Sequence, residues 1–113
     1  MPFINIKTNT AVSAQQETAI KSAMGKAIAV IPGKSESWLM VGIQPEQKLY
    51  FKGDNAPAAM VDVSIYGSAG KSDYNRLTAE ICRTISEQLA VEQSRIYVKY
   101  TEVENWGWNG ANF

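Results

Sequence analysis

One pattern occurs twice in this chain, and it narrows the possible folds more than any other feature. Residues 2–8 alternate, with Ile4 and Ile6 on one side and Phe3, Asn5 and Lys7 on the other, the period of a half-buried strand. Thr8-Asn9-Thr10 breaks the alternation. Ser13 precedes a helical run and Gln16 follows three residues later, which is capping-box spacing. Ala19, Ile20, Ala23, Met24, Ala27 and Ile31 then recur at the i, i+3, i+4, i+7 positions of an amphipathic helix. Pro32-Gly33 stops it. Trp38 to Ile43 reads as the next strand, with Leu39, Val41 and Ile43 on one face and Trp38, Met40 and Gly42 on the other. Residues 44–58 read as a loop with at most one short strand at Leu49-Tyr50-Phe51.

The second half repeats this plan. Ala59 to Tyr66 alternates with Val61, Val63 and Ile65 on one face, and Gly67 to Lys71 forms a turn. Leu77, Ile81, Ile85 and Leu89 mark a second helix, and Arg95 to Thr101 a closing strand with Tyr97 and Lys99 opposite Ile96, Val98 and Tyr100. Two β-α-β units, about 2–43 and 59–101, predict an α+β domain over 1–113, with right-handed crossovers. Its four-stranded sheet carries both helices on one face. The other face mixes Phe3, Trp38, Met40 and Met60 with Asn5, Asp62 and Lys99, too apolar for open water and too polar for a second core. Such a face suits contact with another subunit. The tail, 104–113, sets Trp106, Trp108 and Phe113 among turn formers and needs a surface to dock on.

Composition removes several function classes. Eleven basic residues balance eleven acidic ones, so no cationic excess exists to neutralise nucleic-acid phosphates. No apolar run is long enough to insert into a bilayer. No basic-then-apolar leader precedes the first strand, so the expectation is cytoplasmic residence, and export would have to proceed without a signal peptide. The single cysteine, Cys82, allows no internal disulfide and falls in a helical pattern as a small core residue. Histidine is absent, which removes His-containing triads and the commonest proton shuttle. A base in this chain must be a carboxylate, a lysine, a tyrosine or the amino terminus.

Pro2 supplies a candidate. Initiator methionine is normally removed before a small residue, and removal here leaves a secondary amine at the start of a buried strand. Desolvation and a nearby cation each lower such an amine's pKa, which suits it to general-base work near neutrality. The simpler reading is a harmless proline on an edge strand. Lys34, just after Pro32-Gly33, is either an ordinary cation at a helix C-terminus or the cation that lowers Pro2 and meets a substrate carboxylate. Ile65-Tyr66-Gly67-Ser68-Ala69-Gly70-Lys71-Ser72 superficially suggests a phosphate loop, but only two residues separate its glycines where four are required. Nucleotide hydrolysis is excluded on that spacing, and a weak anion site at the helix start is what remains.

Met1-Pro2-Phe3-Ile4, Gly33-Lys34, Ser64-Ile65, Arg95-Ile96-Tyr97-Val98 and Gly107-Trp108-Asn109 with Phe113 stand in one order over the whole chain. In this the sequence resembles the macrophage migration inhibitory factor family of the tautomerase superfamily. The resemblance implies a homotrimer whose sheets surround a central channel, with an active site at each subunit interface. It implies keto–enol tautomerisation of phenylpyruvate-type carboxylic acids, with Pro2 as base. Lys34 and the backbone N–H of Ile65 are implied to hold the substrate's oxygens, with Tyr97 contributed by the neighbour. Phe3, Ser64 and Trp106 would adjoin the substrate, and Trp38, Trp108 and Phe113 would form aromatic walls supplied by the neighbour. No metal or organic cofactor is called for. A cytokine-like role, with a protein receptor as partner and a vestigial pocket, is the alternative.

Two departures matter. Where vertebrate members carry a Cys-x-x-Cys pair, this chain reads Pro57-Ala58-Ala59-Met60, so no thiol–disulfide activity is expected. Where they place asparagine two residues after the tyrosine, it has Lys99, which shares a face with Tyr97 by strand parity and is expected to add a second cation at the pocket mouth, favouring acidic substrates, rather than merely sit in solvent.

Overall fold

A computed structural model describes residues 1–113. The strands are β1 (Pro2–Thr8), β2 (Met40–Gln44), β3 (Ala59–Tyr66) and β4 (Ile96–Val103), and the helices are α1 (Ala14–Ala27) and α2 (Lys71–Leu89). They form one mixed sheet in the order β2-β1-β3-β4. Within each β-α-β unit the strands are parallel, β1 with β2 and β3 with β4, while β1 and β3 join the units antiparallel. β1 is therefore central, and the expectation of an edge strand for Pro2 is corrected. Proline is accommodated there because it stands first in its strand.

Strand parity delivers Ile4, Ile6, Val61, Val63 and Ile65 to the helix side, each at most 1 % exposed. There they meet Ile20 and Met24 of α1 and Leu77, Ile81 and Ile85 of α2. Burying each such side chain stabilises the fold by roughly 1.5–3 kcal/mol. The capping box forms as spaced: Gln16 N–H donates to Ser13 Oγ at 3.1 Å and Ser13 N–H to Gln16 Oε1 at 2.9 Å. Gln16 also donates to the Gln88 carbonyl at 2.8 Å, tying the start of α1 to the end of α2. Cys82 is buried in α2. No helix is long and apolar enough to cross a membrane.

One local expectation is corrected. Trp38 does not open β2; it ends a short 3-10 turn, Glu36–Trp38. The cause is tertiary, because the Glu36 carboxyl lies over Gly25 of α1, where a Cβ would come within 2.0 Å of its Oε2. Residues 49–51 form no strand, only an isolated bridge between Phe51 and Asp54. Asn9 pins this loop instead, donating to the carbonyls of Leu49, Asn55 and Ala56 and accepting from Ala58 N–H. Arg95 reinforces it from below through Asp54, Ala56 and Pro57. At the start of α2 two backbone donors are already engaged. Ala69 N–H already faces Tyr74 Oη at 3.1 Å and Glu102 Oε2 at 3.4 Å, and Gly70 N–H donates to Asp73 at 3.2 Å.

The tail folds into a hairpin, β5 (Gly107–Trp108) with β6 (Ala111–Asn112). Asn109 and Gly110 turn it with φ of 53° and 86°, the pair of positive values that a tight hairpin turn requires.

Candidate active site

The chain reverses after α1 through Pro32-Gly33. Gly33 takes a φ of 79° and Lys34 N–H donates back to the Ile31 carbonyl at 3.1 Å, the arrangement proline and glycine favour at the centre of a type II turn. That turn sends Lys34 across to the end of β3, where its Nζ donates to the Tyr66 carbonyl at 2.8 Å. Tyr66 N–H in turn donates to the Met1 carbonyl at 3.0 Å. Lys34, Tyr66 and the amino terminus, far apart in sequence, thus meet at one end of the sheet. The Met1 amine there is held below its ordinary pKa, first by burial and then by the charge and hydrogen bonding of Lys34.

Pro2 itself is buried and lies opposite Ile65 in the register. The bond from Tyr66 to Met1 makes Pro2 and Ile65 a non-hydrogen-bonded pair. Ile65 N–H is therefore directed toward β4, as Gly67 N–H is toward the Val103 carbonyl. Ile65 adjoins Pro2 as a cross-strand neighbour, with its side chain in the helix-side core and its N–H directed toward β4.

Beside Pro2 opens a cavity of about 720 Å³, walled by Phe3, Trp38, Met40, Trp106 and Trp108. Ser37 and Ser64 bring hydroxyls to it, and no acidic or basic side chain lines it. Trp38 and Trp108 meet edge to face, with centroids 5.0 Å apart and planes at 81°. Both belong to the chain that carries this Pro2, which corrects the expectation that they come from a neighbour. Phe113 does not line the cavity. It stacks on Trp108 at 6.2 Å and 8°, and on Tyr66 at 5.4 Å, so it fixes the plane of the wall from behind.

Two expected residues lie elsewhere. Tyr97 is 60 % exposed on the helix-free face, edge-on to Phe51 at 5.0 Å. Lys99 pairs with Asp62 at 2.9 Å across β3 and β4 and does not line this chain's cavity. Sequence reasoning overlooked Tyr66, whose carbonyl holds Lys34 and whose ring holds Phe113. Its position beside Ser64-Ile65 was the available signal. Met40 was placed on the correct face, but only the fold shows that it forms a wall.

The full chain, residues 1–113, matches the family model for macrophage migration inhibitory factor. The mouse (Mus musculus) macrophage migration inhibitory factor is 27 % identical over 115 aligned residues, covering 100 % of this chain and 99 % of that protein. The mouse D-dopachrome decarboxylase is 29 % identical over 107, covering 94 % and 90 %. The crystal structure of Leishmania major MIF2 superposes with a TM-score of 0.94 at 30 % identity, covering 100 % of this chain and 97 % of that one.

Proposed function

The chain belongs to the macrophage migration inhibitory factor family, and on that premise we propose that it is a keto–enol tautomerase of phenylpyruvate-type acids. The base is the amine of Pro2, exposed when Met1 is removed. In the keto form, the carbon between the aryl group and the carbonyl carries the mobile proton. The Pro2 nitrogen takes that proton, the freed pair forms the carbon–carbon double bond as the carbonyl π pair moves onto oxygen, and the protonated Pro2 amine returns the proton to the enolate oxygen to give the enol. The reverse direction retraces the same steps.

Each group has a physical reason for its part. The pyrrolidine ring fixes the direction of the amine's lone pair. Burial beside Lys34 favours the neutral, proton-accepting form, because both desolvation and a nearby cation oppose protonation. The Lys34 ammonium pairs with the substrate carboxylate and favours charge developing on the adjacent oxygen. Phe3 and the three indoles, with Phe113 behind them, exclude water and receive the aryl ring, and Ser64 adds a hydroxyl at the rim. The observation that carries this reading is that Lys34 meets the amino terminus, whose Met1 and Pro2 line an aromatic cavity free of charged side chains.

The protein acts as a homotrimer in this reading. The helix-free face, with Met60 and Tyr97 on one row, packs against a second copy, and Tyr97 reaches the neighbouring site from there. The test is phenylpyruvate tautomerisation by protein whose intact mass shows Met1 removed, with Pro2→Gly alongside. The expected loss in Pro2→Gly is about 10²–10⁴-fold, the range of a general base. Equal activity in the two proteins contradicts the assignment.

A further inference from the structure

We infer that Phe51 is a positioning residue for Tyr97: its ring fixes the direction in which the Tyr97 side chain leaves the sheet, and Arg95 fixes Phe51 in turn. The kinetic part of this inference rests on the reading above, in which Tyr97 reaches the site of a neighbouring subunit; the conformational part does not.

Tyr97 is the second residue of β4 and stands on the helix-free face, 60 % exposed. A side chain so exposed has several staggered χ1 wells open to it, and a group that must act on another subunit's substrate needs one of them. The chain treats its tyrosines differently. Tyr74 donates its hydroxyl proton to Glu102, and Tyr100 donates to the Tyr74 carbonyl at 3.0 Å, so both are fixed by their polar ends. Tyr97 is held by its ring, which meets Phe51 edge to face with centroids 5.0 Å apart and planes at 81°, an arrangement that aromatic quadrupoles favour. That contact orients the side chain and leaves the hydroxyl for a partner outside the chain.

Phe51 can orient Tyr97 because its own place is over-determined. Phe51 N–H donates to the Asp54 carbonyl at 2.9 Å, and Asp54 N–H donates back at 3.2 Å. The two residues between them, Lys52 and Gly53, take φ of 54° and 81°. Glycine adopts such a value freely, but at Lys52 it is strained, and strain of this kind persists only where surrounding contacts enforce it. Those contacts are present. The Arg95 side chain, 12 % exposed, donates to Asp54 at 2.8 Å, to the Ala56 carbonyl at 3.0 Å and to the Pro57 carbonyl at 2.9 Å. Its guanidinium lies 5.2 Å from the Phe51 ring centroid, and the Lys52 ammonium lies 5.7 Å from it. Cations at this range are attracted to an aromatic ring. Arg95 therefore ties the loop, and Phe51 with it, to the start of the strand that carries Tyr97.

The experiment uses the Met1-processed protein, with assembly followed by sedimentation velocity. Phenylpyruvate tautomerisation is compared in wild type, Phe51→Leu, Tyr97→Phe and the double variant. Phe51→Leu is expected to lower kcat/KM about three- to tenfold, the scale of one aromatic pair. With Tyr97→Phe already present it is expected to lower it less than about twofold, because residues that act through one another are not additive. Phe51→Tyr, which keeps a ring there, is expected to restore the wild-type value within about twofold. No loss in Phe51→Leu, or the same loss in both backgrounds, overturns the inference. Should Phe51→Leu fail to assemble, Arg95→Lys makes the same comparison, since lysine keeps the charge and loses the forked contacts to the loop. Three-bond NMR couplings of the Tyr97 side chain need no turnover. They are expected to show one χ1 rotamer in the wild type and an average of several in Phe51→Leu. Averaging in the wild type, or a single unchanged rotamer in Phe51→Leu, also overturns the inference. If the wild type does not turn over phenylpyruvate, the tautomerase reading fails and the couplings alone decide.

Discussion

The two faces of the sheet are made by the same strands and differ in what covers them. Toward the helices, Ile4, Ile6, Val61, Val63 and Ile65 are sealed. On the other side the register lines up three rows: Met40–Phe3–Ser64–Thr101, Gly42–Asn5–Asp62–Lys99 and Gln44–Lys7–Met60–Tyr97. Apolar and polar groups are mixed over these rows, and Met40 and Tyr97 remain 68 % and 60 % exposed. The middle row is partnered within the chain, since Lys99 pairs with Asp62 at 2.9 Å and Asn5 donates to Gln44 of the next row at 3.0 Å. Groups already partnered within the chain lose less when water is displaced than unpaired ones do. The closed face holds the fold together, whereas the open face is left uncovered by the chain's own elements and meets the candidate site at its Phe3 and Met40 end.

The largest expected contrast is between neighbouring residues on opposite faces. Ile4→Ala should cost about 2–5 kcal/mol of unfolding free energy, measured by denaturant titration. A cost below about 1 kcal/mol would mean that the helix-side core is not the dominant source of stability. Next, Met60→Lys should abolish self-association in sedimentation velocity while leaving the far-ultraviolet spectrum unchanged. A variant that assembles like the wild type would remove this face from the interface. The smallest effect belongs to the exposed ion pair. Lys99→Ala should change the stability of the single chain by less than about 1 kcal/mol, because both partners retain access to water. A larger loss would show that the open face also contributes to the fold.

Much of this arrangement was legible in the residues. Period-two alternation in residues 2–8 and 59–66 assigns every core isoleucine and valine of β1 and β3 to the correct face, and Ser13 with Gln16 marks the start of α1. These are local signals, carried within a few residues. The failures are nonlocal. Alternation does not reveal that β1 is central, since strand order depends on which strands meet. The turn carrying Trp38 depends on Glu36 resting over Gly25, a contact between elements. The Asp62–Lys99 pair needs the register of β3 on β4, so parity alone pointed Lys99 toward the pocket. Asn109-Gly110 is itself a hairpin signal, and the tail's turn was readable there, though its docking on Trp38 and Tyr66 was not. Of the site, Pro2, Lys34 and the indoles were visible as types worth placing. Tyr66, which joins them, holds Lys34 through a backbone carbonyl, a group that every residue carries.

The central claim is that the amine of Pro2 works as a neutral base because it is buried beside Lys34. It is tested most directly by following the Pro2 nitrogen by NMR through a pH titration of Met1-processed protein, wild type and Lys34→Ala. A base acts when unprotonated, so tautomerase activity should rise with pH through the amine's own titration. The account predicts a wild-type pKa below that of an ordinary amino terminus, with activity rising over the same interval. In Lys34→Ala both should move to higher pH. An ordinary amine pKa in both proteins, or an activity profile that does not follow the Pro2 titration, would contradict it.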